Sequence, residues 1–443
     1  MQAPIIDETH DPASVSWVVS ANTMDTDFPL QNLPLGALEV GGRDVCGIAI
    51  GDSIFNLHAA AECGLLRQLP SGLHAACLQP RLNALMALSP NESRLLRRRV
   101  FALLKDDPAN IGLREAIQKT ALMPREGAVM VVPAQINGYT DFLTSRHHTE
   151  RHGKFKGLKD PLPPAFLSLP VAYHGRTSSI RISGQPVIRP NGQYKNTEGQ
   201  VVFGPVKAMD FELELGAYLR GGNTLGTPLG MDEAQAQIFG YSLLNDWSAK
   251  DIQWWEQVLG PFLGKNFHTS VSPWVVTADA LAPFQIAAPQ LAEDAPPLLP
   301  HLDSSHNRQF GGLQVDVEAW IHLHPEGVKD AVRLSHSSVQ NLSWTFAQMV
   351  AHHTSNGCNI LAGDFIGSGT ISGEADESRA CMTEITEAGK KPVQLQDGIT
   401  RCWLEDGDEI ILRAYARGEG YRSIGFGECR GKIAPALRHP ATI

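Results

Sequence analysis

Apolar and acidic residues alternate over 210–215, where the sequence DFELEL has a period of two. This period predicts a β-strand with its apolar side chains on one face. Glu212 and Glu214 then share the other face, about 6.5–7 Å apart. Two like charges at that distance repel each other unless water solvates them or a cation binds between them. The pattern leaves both interpretations open: a half-exposed strand, or part of a cation site.

The first third of the chain combines short apolar runs with helix signals. Runs at 45–50 and 53–57 flank a Gly-Asp turn, which predicts a β-hairpin. Ser89, followed by proline and then by Glu92, predicts a capping box at the start of a helix that extends to about residue 104. A strand over 127–132 then ends at a proline. These features predict a small β domain with a helix over residues 1–131.

The remainder, 132–443, is predicted to form a second and larger domain. Short strands separated by glycine and proline are expected at 180–182, 201–203, 315–323, 409–414 and 425–428. Helices are expected at 231–239 and 343–352, and the proline-rich segment 282–300 is expected at the surface. This order of elements predicts an α+β fold that is mostly β, with antiparallel sheet dominant.

Two further segments add acids and bases to the glutamate pair. Asp246 follows an apolar run at 238–244, and a buried charge there needs a partner or a metal. Asp141 precedes the adjacent pair His147 and His148, which the sequence places in a loop. Lys265 lies between a glycine and an asparagine, where a ligand can approach the backbone. Four carboxylates without sulfur favour a hard cation such as Ca²⁺ or Mg²⁺.

Composition narrows the classes of partner. The 443 residues carry a net charge of −10, which disfavours binding to nucleic acid. The seven cysteines form no C-x-x-C pair, so a zinc site or a disulfide framework has little support. No basic and apolar leader and no long apolar run is evident, so we expect a cytoplasmic protein that does not bind membranes.

Several motifs, in one order along nearly the whole chain, resemble the fumarylacetoacetate hydrolase (fumarylacetoacetase) family. They are FPLQNLP at 28–34, YTDF at 139–142, LPVAYHGRTSS at 169–179, NDWSA at 245–249, GPFLGK at 260–265, VSPWVV at 271–276, HH at 352–353, NGCN at 356–359 and SGTISG at 368–373. The resemblance implies an SH3-like N-terminal barrel followed by a mixed β-sandwich roll. It also implies a homodimer and a small-molecule diketo-acid substrate.

The resemblance assigns the metal ligands residue by residue. A divalent cation, Ca²⁺ or Mg²⁺, would be bound by Asp141, Glu212, Glu214 and Asp246. A second and more structural cation would contact Asp246, Lys265 and Thr269. Because a charged amine cannot bind a metal, Lys265 would use its carbonyl and leave its ammonium to face the reacting oxygen.

The resemblance also assigns catalytic roles. The general base of the family lies seven residues after the aspartate, on His148, and leaves His147 without a role. Its carboxylate partner falls on Glu384. The developing oxyanion would be held by Lys250, Gln253 and Lys265. Together these groups would hydrolyse a carbon–carbon bond between two carbonyls, and the segment 367–370 with Thr370 would form a floor for a substrate carboxylate.

The substrate-contact positions depart from the family. Leu143 and Gln257 replace tyrosines, whereas Lys156 and Lys250 replace arginines, and lysine lacks the bidentate fork that binds a carboxylate. The full set of expected substrate contacts is Leu143, Lys156, Tyr173, Gln253, Gln257 and Thr370. The substrate is therefore predicted to be 4-fumarylacetoacetate or a related diketo acid such as an acylpyruvate.

Two other classes of function stay open. Relatives that keep the metal but decarboxylate or isomerise lack the histidine–glutamate pair, so His148 and Glu384 argue against them. A non-catalytic protein stabilised by a metal would not require that pair or Lys265, so the presence of these residues argues against this class as well.

Overall fold

The computed structural model describes residues 3–323 and 330–439; the outermost residues of both predicted domains lie outside those ranges. The first sheet has five strands in which the hairpin predicted near residue 50 is present. The predicted capping box at Ser89 is also present, with reciprocal bonds to Glu92. The strands of this sheet are Leu35–Val40, Arg43–Ile50, Ser53–Asn56, Leu122–Pro124 and Met130–Val131.

An eight-stranded sheet forms the centre of the molecule. Asp141 pairs in register with Gly367 on a parallel neighbouring strand, which brings two distant segments together. A Cβ at Gly367 would meet Oδ1 of Asp141 at 2.3 Å, so the close approach requires glycine. The strands in spatial order are Val171–His174, Tyr139–Leu143, Phe365–Gly367, Leu213–Leu219, Ile238–Asn245, Thr269–Val271 and Ile180–Ile182, with Val276–Thr277 also pairing to Ile238–Asn245.

A second large sheet has five strands and packs over one face of the central sheet. Leu215 and Leu243 of the central sheet share one apolar core with Val317 and Leu412 of the second sheet. The strands, in spatial order, are Val332–Ser338, Val315–His322, Glu409–Ala416, Ile424–Ala434 and Val187–Ile188. Most of their pairings are antiparallel, as predicted, and sheets dominate this mixed α/β fold.

Four two-stranded sheets and several short helices complete the described ranges. The small sheets pair Asn191–Lys195 with Val201–Pro205, Met209–Asp210 with Ser248–Ala249, Gln285–Ile286 with Gly312–Leu313, and Val393–Gln394 with Thr400–Arg401. The α-helices are Leu57–Glu62, Ser71–Cys77, Asn83–Met86, Pro90–Leu104, Ile111–Thr120, Arg146–Phe155, Met231–Ala236, Lys250–Glu256, Ser305–Phe310, Phe346–Thr354 and Met382–Ile385. Within 3–323 and 330–439, none of them has the length and apolar character needed to span a bilayer.

The strand predicted at 210–215 differs from the observed one. The backbone forms a short strand at Met209–Asp210 and a new strand at Leu213–Leu219, and both faces are buried. One face packs on the second large sheet, whereas Tyr218 on the other face joins the core of the N-terminal region. The half-exposed strand with solvated glutamates is therefore wrong, because lysine and aspartate side chains, rather than water, surround Glu212 and Glu214 on that face.

Candidate active site

Three of the predicted metal ligands form a tight buried cluster. Asp141 lies in the strand Tyr139–Leu143, Glu214 lies in the adjoining part of the central sheet, and Asp246 directly follows the strand Ile238–Asn245. One carboxylate oxygen from each residue lies within 4.8 Å of the other two. All three side chains are almost completely buried. Register in the sheet, rather than proximity along the chain, brings these acids together.

The electrostatics of the cluster favour a cation. Burial raises the pKa of Asp141 well above its usual value, and the neighbouring Asp246 raises it further. Burial, together with the charges of Asp141 and Asp246, also raises the pKa of Glu214 well above its usual value. Each acid also has one buried oxygen without a hydrogen-bond partner among the described residues. Such an all-oxygen donor set suits a hard divalent cation.

Glu212, the fourth predicted ligand, is held differently. Its two oxygens accept hydrogen bonds from Nζ of Lys250 and from Nζ of Lys265. Burial alone would raise the pKa of Glu212, but the two ammonium groups outweigh burial and hold this pKa well below its usual value. Lys265 also donates to Oδ2 of Asp246 at 2.6 Å. Its ammonium therefore links Glu212 to the carboxylate cluster. The sequence had instead predicted a free ammonium at this position.

His148 and Glu384 form a buried pair. Nδ1 of His148 lies 2.9 Å from Oε2 of Glu384, although the two residues are 236 positions apart. His148 is in the first turn of the helix Arg146–Phe155, not in the loop that the sequence analysis expected. Ser145 caps this helix by accepting a hydrogen bond from the backbone N–H of His148 at 3.1 Å. His147, one position earlier on the helix, is only partly buried.

Other side chains fix the ionisation of Glu384. Its Oε2 accepts from Oγ of Ser372 at 2.5 Å, and its Oε1 accepts from Arg151 at 3.1 Å. Burial would raise the pKa of Glu384, but His148 and these donors lower it to about 2. Glu384 is therefore an ionised carboxylate that accepts a hydrogen bond from Nδ1–H of His148. Nε2 of His148 is then left unprotonated and can take up a proton.

A cavity of about 1080 Å³ connects the two groups. Its walls include Asp141, Glu212, Glu214, His148 and Lys265, and all the predicted substrate contacts: Leu143, Lys156, Tyr173, Gln253, Gln257 and Thr370. Thr269 instead lines an adjacent cavity of about 210 Å³, together with Lys265 and Tyr173. The hydroxyl of Tyr173 donates to Oδ2 of Asp246 at 2.6 Å, on the wall between the cavities.

Lys250 departs from its predicted place. It is completely buried beneath Glu212 and does not line the cavity. Desolvation would lower the pKa of its ammonium, but the negative charge of Glu212 outweighs burial and raises this pKa. The geometry therefore makes Lys250 a counter-ion of Glu212, whereas Lys265 and Gln253 remain able to face a bound molecule.

Comparison with known proteins agrees with this architecture. Residues 138–434 match the family described as fumarylacetoacetate (FAA) hydrolase C-terminal, and residues 31–133 match fumarylacetoacetase N-terminal. The chain belongs to the fumarylacetoacetate hydrolase family. It is 41% identical to the fumarylacetoacetase of Homo sapiens over 423 residues, which covers 93% of this chain and 97% of the relative. The fumarylacetoacetase of Caenorhabditis elegans is 42% identical over 421 residues, with the same coverage of both chains.

Solved structures support the fold. A fumarylacetoacetate hydrolase from Exiguobacterium antarcticum aligns with a TM-score of 0.50 at 16% identity, covering 91% of this chain and 99% of that one. At this identity the similarity shows the fold of the fumarylacetoacetate hydrolase family and no more.

Lys156 and Gln257, two positions at which a departure from the family is expected from the sequence, contact each other. Nζ of Lys156 donates to Oε1 of Gln257 at 3.2 Å on the cavity wall. Burial lowers the pKa of Lys156, and the nearby Lys250 lowers it further. Thr370 and Gln253 each carry a buried side-chain oxygen that has no hydrogen-bond partner among the described residues. The cavity thus offers donors and acceptors for a polar acid beside the apolar wall formed by Leu143.

Four residues around the histidine–glutamate pair were not predicted from the sequence: Arg151, His152, Ser372 and Cys381. Ser372 belongs to the SGTISG motif, so the family resemblance could have drawn attention to it. The Ser145 cap is the signal that could have identified Arg151 and His152, because a helix that begins there places both residues on the same face as His148. Nothing in the local sequence pointed to Cys381.

Proposed function

We propose that the chain is a metal-dependent hydrolase that cleaves a carbon–carbon bond in a β-diketone acid. The proposed substrate is 4-fumarylacetoacetate, cleaved to fumarate and acetoacetate in tyrosine and phenylalanine catabolism. The observation that carries the proposal is the buried His148–Glu384 pair, which shares one cavity with the carboxylates of Asp141 and Glu214. The relatives named fumarylacetoacetase support the same reaction. Activity on this diketone, followed by loss of its absorption, is the direct test.

The histidine–glutamate pair supplies the nucleophile. With Nδ1 of His148 bound to Glu384, Nε2 takes a proton from water while the oxygen adds to the substrate carbonyl. Lys265 and Gln253 stabilise the resulting oxyanion by hydrogen bonds. When the carbon–carbon bond breaks, its electron pair leaves with the enolate fragment. The imidazolium of His148 returns its proton to that carbon, so that the charge and the proton balance over the cycle.

Asp141, Glu214 and Asp246 would hold the cation, and Glu212 stands next to them. A bound Ca²⁺ or Mg²⁺ would supply Lewis-acid stabilisation to the diketone oxygens and to the enolate charge. The orphaned oxygens of the three acids support this placement. A second cation at Asp246, the carbonyl of Lys265 and Thr269 is proposed from the family resemblance. Lys265 and Thr269 line the smaller adjacent cavity, and Asp246 contacts Nζ of Lys265.

Two finer statements about organisation belong to the same proposal. The N-terminal sheet is proposed to be an SH3-like barrel in a domain of residues 1–131, and residues 132–443 a β-sandwich roll. The matches of the two family segments, 31–133 and 138–434, support a boundary near residue 131. A cytoplasmic location is proposed because all seven cysteines, which lie in the described ranges, are free.

The cavity wall predicts altered substrate selection. Relative kcat/KM values for 4-fumarylacetoacetate, an acylpyruvate and a longer acylacetoacetate should show whether Leu143 and Gln257 shift the preference. We expect the variant carrying Leu143→Tyr and Gln257→Tyr to gain on 4-fumarylacetoacetate relative to the other substrates, because each tyrosine adds a flat wall and a hydroxyl donor. A wild-type preference for 4-fumarylacetoacetate that the double variant leaves unchanged would contradict this prediction and show that these replacements are neutral.

The protein is proposed to act as a homodimer, with no nucleic-acid or membrane partner. The homodimer is supported by the family resemblance. It is also supported by an exposed apolar segment near the cavity, in which Val258 and Leu259 are 91% and 101% exposed. One chain has a mass of 48.1 kDa. Light scattering at micromolar concentration should give twice that mass. A monomer under those conditions would refute the proposal.

A further inference from the structure

A second group of possible metal ligands lies beside the histidine–glutamate pair. His152 follows His148 by one helical turn, and the centroids of the two rings are 4.1 Å apart. Sγ of Cys381 is 3.9 Å from Nε2 of His152 and 3.3 Å from Oε2 of Glu384. One ligand atom from each of His148, His152 and Cys381 lies within 4.8 Å of the other two. We call this group the soft-ligand cluster.

We propose that the soft-ligand cluster binds Zn²⁺ or a cation of similar chemistry, and that this binding inhibits the enzyme. A thiolate and two imidazoles are ligands that Zn²⁺ prefers, whereas Ca²⁺ and Mg²⁺ prefer carboxylate oxygens. The two neighbouring sites therefore select different metals. The inhibition rests on the proposed hydrolase activity, but the binding of zinc does not.

The distances suit a tetrahedral ion after a small adjustment. Zn–N and Zn–S bonds of about 2.1 and 2.3 Å place a nitrogen and a sulfur ligand ~3.6 Å apart around a tetrahedral ion. The observed separation between His152 and Cys381 is 3.9 Å. His148 and His152 line the cavity, so an ion can enter from there and keep water as its fourth ligand. The thiol of Cys381 gives up its proton to solvent on binding.

Occupancy of this cluster would disable the base whichever nitrogen of His148 binds the ion. Binding through Nδ1 replaces the 2.9 Å contact with Glu384. Binding through Nε2 occupies the nitrogen that would accept the proton from water. In both cases the lone pair of the imidazole is no longer available for general-base catalysis.

Direct binding tests the site independently of turnover. The protein is saturated with Mg²⁺ to occupy the carboxylate cluster and then titrated with Co²⁺ as a spectroscopic substitute for zinc. We expect one equivalent to bind with a thiolate-to-cobalt charge-transfer band, which zinc displaces. Cys381→Ser should abolish the band, and a serine can still donate to Glu384 and so preserve the fold. His152→Phe, which retains a ring against His148, should weaken binding by about tenfold or more.

The exposed Cys63 provides the matched control. It lies far along the chain in the N-terminal region, and Cys63→Ser should keep the full cobalt band. No band in the wild-type protein, or a band that survives Cys381→Ser and disappears with Cys63→Ser, would overturn the proposal.

Inhibition is measured on the same preparations. Micromolar Zn²⁺ should reduce wild-type turnover in excess Mg²⁺, and a zinc chelator should restore it. The zinc concentration for half-inhibition should rise by about tenfold or more in His152→Phe, in parallel with its weaker binding. Zinc binding without inhibition would overturn the inhibitory role. A protein without any diketone hydrolase activity that still gives the cobalt band would instead refute the proposed function and leave the zinc site standing.

Discussion

Replacement of His148 by alanine should lower kcat by a factor of about 10²–10⁴, the range for loss of a general base. The imidazole is the group in the described cavity wall that is both bound to a buried carboxylate and free to accept a proton at its second nitrogen. The carboxylate cluster does not depend on this side chain. The variant should therefore bind Mg²⁺ or Ca²⁺ as well as the wild-type protein does, which a metal-dependent shift of Tm can verify.

His147→Ala is the matched control, because it removes the same side chain one position earlier on the same helix. His147 is partly exposed, and burial together with Arg151 lowers its pKa. It does not belong to the residues that line the cavity, so most of the activity should remain. Larger loss in His147→Ala than in His148→Ala would show that the base has been assigned one residue out of register.

Glu384→Gln separates orientation from proton transfer. The amide can still accept a hydrogen bond from Nδ1 of His148, but it removes the negative charge that stabilises the imidazolium. We expect a fall in kcat smaller than that of His148→Ala, with little change in KM. An unchanged kcat would show that Glu384 supports the fold and not the reaction.

The family motifs pointed to His148 as the expected base and to four acids as expected metal ligands, whereas the long-range contacts of these residues could not be predicted from the sequence. His148 and Glu384 are separated by 236 positions, and several other glutamates near Glu384 were equally plausible on local grounds. The lysine partners of Glu212 lie 38 and 53 positions away. An alternating pattern identifies a strand, but it cannot say which cation will neutralise its acids.

The two local errors also have tertiary causes. The helix Arg146–Phe155 is strongly polar, so its sequence lacks the apolar period that usually reveals a helix. Its Ser145 cap and its packing against the segment that carries Glu384 stabilise it. The strand Leu213–Leu219 is buried on both faces because a second core, shared with the N-terminal region, covers Tyr218, and because Asp141 and Asp246 lie beside Glu214. Neither effect can be read from residues within the element itself.

Glu212→Gln and Glu214→Gln should give opposite results, although the residues are two positions apart and the chemical change is the same. Both oxygens of Glu212 pair with lysines, one of which, Lys250, is completely buried. Loss of the charge leaves that ammonium without its main counter-ion, and breaking such a buried pair costs about 3–5 kcal/mol of unfolding free energy. Glu212→Gln should therefore lower Tm even without added metal.

Glu214 has a different environment. Its Oε2 accepts from the backbone N–H of Gly369 at 3.1 Å, a bond that an amide oxygen can also make, and its Oε1 has no partner among the described residues. Glu214→Gln should therefore leave the Tm of the metal-free protein nearly unchanged. What it should remove is the stabilisation by added Ca²⁺ or Mg²⁺, together with most of the activity.

Thermal unfolding with and without the cation measures both effects. At 100 times Kd, a ligand that binds only the folded state adds about 2.7 kcal/mol, which for a chain of this length raises Tm by roughly 3 °C. Wild type should show this rise, Glu214→Gln should not, and Glu212→Gln should show a lowered starting Tm. Full wild-type activity after exhaustive treatment with EDTA would contradict the metal assignment. An equal metal-dependent rise in Glu214→Gln would show instead that Asp141 and Asp246 suffice to bind the cation, because the carboxylate oxygen that this variant removes would then contribute nothing to the free energy of binding.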